Sequence, residues 1–155
     1  MRQSVINPLA MNPKTAAKQD FIPLMRELVR AYQAFAAYDA SGYRDVDLTV
    51  PQADVVFTLG NTDGLTFKEI GEKTLITKGT LTGVIDRLED KGLVSRVPCP
   101  EDRRCMRVTL TDEGRGLFEK EFPRQIQYLK ARFDRLAKSE QREALESLKK
   151  LRAVF

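Results

Sequence analysis

Residues 66–92 constrain the fold of this chain most, because two stretches with apolar residues at helical spacing are joined only by the short link Leu75-Ile76-Thr77. Thr66 and Glu69 stand in capping-box spacing and open the first stretch, which carries Ile70 and ends near Thr74. Thr77 stands at the cap position of the second, which the spacing predicts as a helix over 78–91. Leu81, Val84, Ile85 and Leu88 fall on one face of that helix, and Lys78, Gly79, Thr82, Gly83 and Asp86 on the other. Gly92 supplies a left-handed exit. A link this short brings two helices together at close range, which is a helix-turn-helix arrangement.

After Gly92 the pattern changes to β. Leu93–Val97 and Met106–Leu110 read as the strands of a hairpin, with loop 98–105 between them. Thr111 caps a long helix with Asp112 and Glu113 against its N-terminal dipole; its stripe is Phe118, Phe122, Ile126, Leu129, Phe133 and Leu136, and Pro123 is expected to kink it. Ser139 caps a last helix bearing Leu145, Leu148, Leu151 and Phe155. Upstream, Leu24, Leu28, Ala31, Phe35 and Tyr38 predict a helix over about 20–38, and Thr49, Pro51 and Gln52 mark the start of another that runs to Leu59. Residues 1–19, with Asn-Pro steps at Asn7 and Asn12, read as an arm outside any helix.

Composition narrows the function. With 155 residues and 42% hydrophobic content, the chain supports one domain with helical extensions. There is no run of 18 apolar residues and no apolar segment near the N-terminus, so neither membrane span nor secretion is expected, and a cytoplasmic location follows. The chain has no histidine and two cysteines, which removes the usual ligands of a zinc site and the usual base of acid–base or triad catalysis. No phosphate-binding glycine loop is present. Neither an enzyme, a metal nor a cofactor is expected. The net charge of +4 permits a nucleic-acid partner without requiring one.

The outer face of 78–91 is chemically unusual. A merely solvated face favours Glu, Lys, Gln and Arg, whereas Gly79 and Gly83 each cost about 1 kcal/mol against alanine. Small residues near a helix start let a backbone approach phosphates, Thr80 and Thr82 can bond phosphates or base edges, and Lys78 adds a phosphate partner. In the hairpin loop, Arg103 and Arg104 suit a narrow minor groove. Asp102 reads as structural, pairing with Arg104 or bonding loop amides.

The stretch Leu48–Gly114 resembles the winged-helix core of the MarR family of bacterial transcriptional regulators. The likeness rests on Leu48–Gln52, Leu65–Ile70, Leu81–Val94 (LTGVIDRLEDKGLV), Asp102-Arg103-Arg104 and Val108–Gly114 in that order. It implies a mainly α fold with a small β-hairpin wing (α+β): an arm at 1–19, an N-terminal dimerisation helix at 20–47, a winged helix-turn-helix at 48–111 and C-terminal dimerisation helices at 112–155. It implies a homodimer on a pseudo-palindromic double-stranded DNA operator, usually as a repressor. Residues 77–87 would be the recognition helix, with Thr77 and Arg87 added to the contacts above, and 98–105 the wing. The surplus apolar surface of the flanking helices, including four phenylalanines in 118–155, agrees with a dimer.

The resemblance also implies a small aromatic effector, a phenol or aromatic acid, bound between the dimer helices and the winged domain. Candidate lining residues are Phe21, Met25, Tyr32 and Tyr43. The pattern departs from redox-sensing members, whose reactive cysteine lies in the first helix. Here Cys99 and Cys105 flank the wing. They read as ordinary surface thiols, the alternative being a redox-responsive regulator in which a disulfide deforms the wing and weakens DNA binding. A winged-helix module that binds a protein through the same surface is the other alternative.

Overall fold

Capping chemistry sets most element boundaries. In the computed structural model, which describes residues 11–74, 76–100, 102 and 104–155, the chain forms two compact units that divide between Ser41 and Gly42. The first holds α1 (Pro13–Ala16) and α2 (Ile22–Ser41). A helical turn at α1 was not expected in the arm. Asn12 Oδ1 accepts the Thr15 N–H at 2.9 Å and Pro13 takes the first helical position, so this Asn-Pro step starts a turn instead of breaking one. Residues 1–10, with the other Asn-Pro step, lie outside the described residues. Along α2, Leu24, Met25, Val29, Tyr32 and Phe35 are exposed and share one face.

The second unit contains α3 (Val50–Leu59), β1 (Leu65–Thr66), α4 (Phe67–Thr74), α5 (Lys78–Asp90), β2 (Val94–Pro98), β3 (Met106–Leu110), α6 (Asp112–Phe133) and α7 (Lys138–Arg152). The expected box at α3 is closed: the Thr49 N–H donates to Gln52 Oε1 at 3.0 Å and the Gln52 N–H to Thr49 Oγ1 at 3.4 Å. The hairpin is part of a three-stranded antiparallel sheet in the order β1-β3-β2, with Leu65 opposite Val108 and Arg96 also opposite Val108. Val55, Val56, Leu59, Ile70, Leu81, Ile85, Leu88, Val94 and Val108 are fully buried and join α3, α4, α5 and the sheet in one core. Tyr43 and Val46 pack against this core, which places the segment before α3 in the second unit. Phe57, Phe118 and Phe122 extend it, their ring centroids 5.1–6.4 Å apart.

Helix α6 runs through Pro123 without interruption. Helix α7 starts earlier than Ser139 suggested: Ala137 is the cap residue and its N–H donates to Glu140 Oε2 at 2.6 Å. No helix among the described residues is long and apolar enough to cross a membrane.

The junction of wing and α6 is tight. Gly92 adopts φ +72°, which favours glycine. The Thr111 hydroxyl donates to the Gly92 carbonyl at 2.6 Å, and the Gly114 N–H donates to Thr111 Oγ1 at 3.1 Å. A Cβ on Gly114 would stand 1.9 Å from the Leu93 carbonyl oxygen, so α6 can approach the wing only at a glycine. Gly114→Ala is expected to destabilise the unit by about 2 kcal/mol or more, the scale of overpacking against a backbone that cannot move. A chemical-denaturation midpoint equal to wild type would contradict this close approach.

Candidate nucleic-acid interface

The helix-turn-helix is assembled from two local caps and one buried stripe. At α4, the Thr66 N–H and hydroxyl both donate to Glu69 Oε2 at 2.8 Å, and the Glu69 N–H returns a bond to Thr66 Oγ1 at 3.3 Å. The Thr66 backbone bond, more than any other cause, holds the Glu69 carboxyl below its ordinary range. A depressed carboxylate stabilises the fold above its unfolded pKa, so this box is fully formed at neutral pH and is lost as pH falls through the acidic folded value.

Helix α5 is held by Leu81, Val84, Ile85 and Leu88, all buried. Its other face is open. Thr77, Lys78, Gly79, Thr80, Thr82 and Arg87 are exposed and Gly83 is half-buried. A Cβ added at Gly79 or Gly83 would meet nothing within 4 Å, so no packing among the described residues demands either glycine. Thr77 occupies the cap position with extended backbone, but its side chain does not cap the helix. Its hydroxyl donates to Thr80 Oγ1 at 3.1 Å, which corrects the expected cap and leaves the first amides of α5 without the Thr77 side chain as acceptor.

Within the wing, the Cys99 N–H donates to the Cys105 carbonyl at 2.8 Å, and the Cys105 N–H to the Asp102 carbonyl at 2.9 Å. Asp102 Oδ1 accepts the Arg104 N–H at 2.9 Å, so of the two roles read for Asp102 the structure shows the bond to a loop amide. The Arg104 residue is exposed; Arg103 lies outside the described residues. Cys99 and Cys105 are joined by a disulfide across Cα atoms 5.3 Å apart, in place of the two free thiols expected.

Sequence reasoning missed Arg96. From β2 its guanidinium bonds the Asp86 carboxylate, donates to Glu89 Oε2 at 2.5 Å, and lies 5.5 Å from the centroid of the Phe67 ring on α4. Three quarters of its side chain is covered, with 27% exposed. The Asp86 hydrogen bond is the main cause that raises its already high pKa. One wing residue therefore ties together both helices of the helix-turn-helix. Lys91, just past α5, adds a second tie: its Nζ donates to the Asp47 carbonyl at 2.6 Å and pairs with Asp47 Oδ2 at 2.7 Å.

Among the described residues, the clefts on this unit include the following two. One of about 640 Å³ between α4 and α5 is lined by Phe67, Lys68, Gly71, Glu72, Ile76 and Lys78 among others. Another, of about 560 Å³, lies against α7 and is lined largely by Phe133, Leu136, Ala144, Leu145 and Leu148. The expected effector residues line neither. Phe21, Met25 and Tyr32 are exposed in the first unit, whereas Tyr43 packs on Phe57 in the second, ring centroids 6.1 Å apart.

A helix pair with a tight link, a three-stranded sheet and a β2–β3 wing define a winged helix-turn-helix protein. Comparison with known proteins gives the family. The MarR family model matches residues 48–106. The HTH-type transcriptional regulator TtmR of Methylorubrum extorquens is 40% identical over 88 residues, 57% of this chain and 42% of that protein. The structure of BpsR from Bordetella bronchiseptica, whose DNA binding is regulated by 6-hydroxynicotinic acid, is 30% identical with a TM-score of 0.75, covering 86% of this chain and 95% of that one. A mutant MarR from E. coli complexed with operator DNA is 26% identical with a TM-score of 0.75, covering 86% and 98%. The chain belongs to the MarR family. It spans about half the length of the sequence relatives it matches. Those relatives are named as regulators of transcription and not as enzymes.

Arg96→Met keeps the bulk of the side chain and removes the charge. It is expected to lower stability by about 1 kcal/mol, the upper range for a partly exposed charge network. Urea denaturation checks this, and an unchanged midpoint would show that the clamp contributes nothing to holding α5.

Proposed function

We propose that this chain is a homodimeric, sequence-specific DNA-binding regulator of transcription. Thr77 at the cap of α5, with Lys78–Gly83 and Arg87 of the helix, enters the major groove, and the wing brings Arg104, with Arg103 beside it, to the adjacent minor groove. The observation that carries this reading is the outer face of α5. It is exposed and built of small and hydroxyl residues, and it holds two glycines that the interior does not require. Those glycines disfavour the helix and gain their purpose only if something outside comes close. The MarR neighbour solved with operator DNA supports DNA as the partner.

The apolar faces left open supply the second copy. Phe133, Leu145 and Leu148 on the C-terminal helices, with Leu136 in the turn between them, are about half exposed, and α2 carries its own exposed stripe. A two-fold assembly covers such faces with their own symmetry mates and sets two α5 helices on two half-sites. The regulator is a repressor that a small aromatic ligand releases. The regulation of BpsR DNA binding by 6-hydroxynicotinic acid supports a ligand response.

The test is selection of a duplex from a random pool, followed by fluorescence anisotropy over a salt series. Specific regulation predicts preference for the selected duplex of about 1000-fold or more over a scrambled one. Gly83→Ala is expected to raise helix stability by about 1 kcal/mol while weakening DNA binding, two opposite effects from one methyl group. Arg104→Ala is expected to weaken binding by about tenfold with the fold intact, the scale of one groove contact. Full affinity in both variants would refute the placement of α5 and the wing.

A further inference from the structure

We propose that Cys99 and Cys105 form a reversible dithiol–disulfide site in the wing, oxidised by hydroperoxides, and that closing it tightens DNA binding. The proposal rests on the reading of the wing as a DNA contact. These are the only two cysteines of the chain, so no other thiol competes for either sulfur. Both are half-exposed, within reach of a small oxidant or reductant.

The hairpin register brings them together. β2 and β3 pair as far as Pro98 opposite Met106, which makes Cys99 and Cys105 the next pair. Their N–H···O=C bond of 2.8 Å continues the ladder. Directly opposite antiparallel residues hold their Cα atoms about 4.5–5.5 Å apart, and disulfides span about 4.4–6.8 Å. The observed separation of 5.3 Å suits both. Oxidation therefore needs no change of register, so this proposal runs opposite to the alternative reading in which a disulfide deforms the wing.

What the bond changes is freedom. Ring 99–105 encloses the wing tip, including Arg104, and Asp102 already accepts two of its amides. A reduced loop loses conformational freedom when it seats on DNA, whereas a closed ring has lost much of it beforehand. The oxidised form is the better binder.

The chemistry balances with a hydroperoxide as oxidant. One thiolate attacks the outer peroxide oxygen, the O–O bond breaks, and the alkoxide leaves with a proton as an alcohol. The second thiolate attacks the resulting sulfenic acid, the S–O bond breaks, and hydroxide leaves with a proton as water. Two thiols lose two electrons and two protons. A thiol reductant reopens the bond through a mixed disulfide, and its own two thiols become a disulfide.

The full chain would be prepared with dithiothreitol and, separately, after tert-butyl hydroperoxide. Intact mass after alkylation counts free thiols, and anisotropy on a duplex selected by the reduced protein gives affinity. The expected result is two alkylated thiols before oxidation and none after, with affinity raised about fivefold, the scale of ordering one loop in advance. The double variant C99S/C105S is expected to bind as the reduced protein does and to ignore peroxide. Failure to form the intramolecular bond, equal affinities, or weaker binding by the oxidised protein would each overturn the proposal while leaving DNA binding in place. If neither form selects any duplex, the proposed function itself fails, and this inference with it.

Discussion

Burial of the α5 stripe is the interaction on which the rest of the structure depends. Leu81, Ile85 and Leu88 are essentially removed from solvent, and they meet residues from α3, α4 and the sheet in a single core. Each such side chain stabilises the fold by about 1.5–3 kcal/mol relative to exposure. Because that free energy is concentrated on one face, the opposite face is left to other uses. It carries two glycines and two threonines where a helix chosen for stability alone would carry alanine, glutamate or lysine. The inner face secures the helix, and the outer face spends part of that stability on access.

Apolar burial fixes where α5 lies, and polar ties fix how the wing sits against it. Arg96 reaches from β2 to two carboxylates on α5 and to the Phe67 ring on α4. Just before the same strand, Gly92 accepts a bond from Thr111, and the glycine at 114 lets α6 lie against Leu93. The wing is thus anchored at its base on both sides, while its tip projects the exposed Arg104 residue. This division matches what a two-groove reader needs: a fixed spacing between helix and wing, and a tip that can be tuned separately.

Much of this was legible in the sequence, for a physical reason. The signals that worked are local: the Thr49/Gln52 and Thr66/Glu69 boxes, the 3.6-residue stripe of α5 and the left-handed Gly92 each act within a few residues. The misses fall where local signals compete or where distance matters. Asn12-Pro13 suits a helix start as well as a break, and the start prevailed. Ser139 looked like a cap, but Ala137 was chosen because Glu140 stands three residues beyond it and can take its amide. The strand Leu65–Thr66 is too short to show alternation and exists only by pairing with β3 more than forty residues on. Arg96 gave no signal, since its role depends on three partners that only the folded chain brings together.

The most direct test of the account is hydrogen–deuterium exchange of the full chain with and without a bound duplex. The account predicts slowed exchange confined to peptides covering Thr77–Arg87 and the wing around Arg104, with α7 unchanged. Protection centred on α7, or a bound duplex that leaves α5 and the wing exchanging as before, would contradict it.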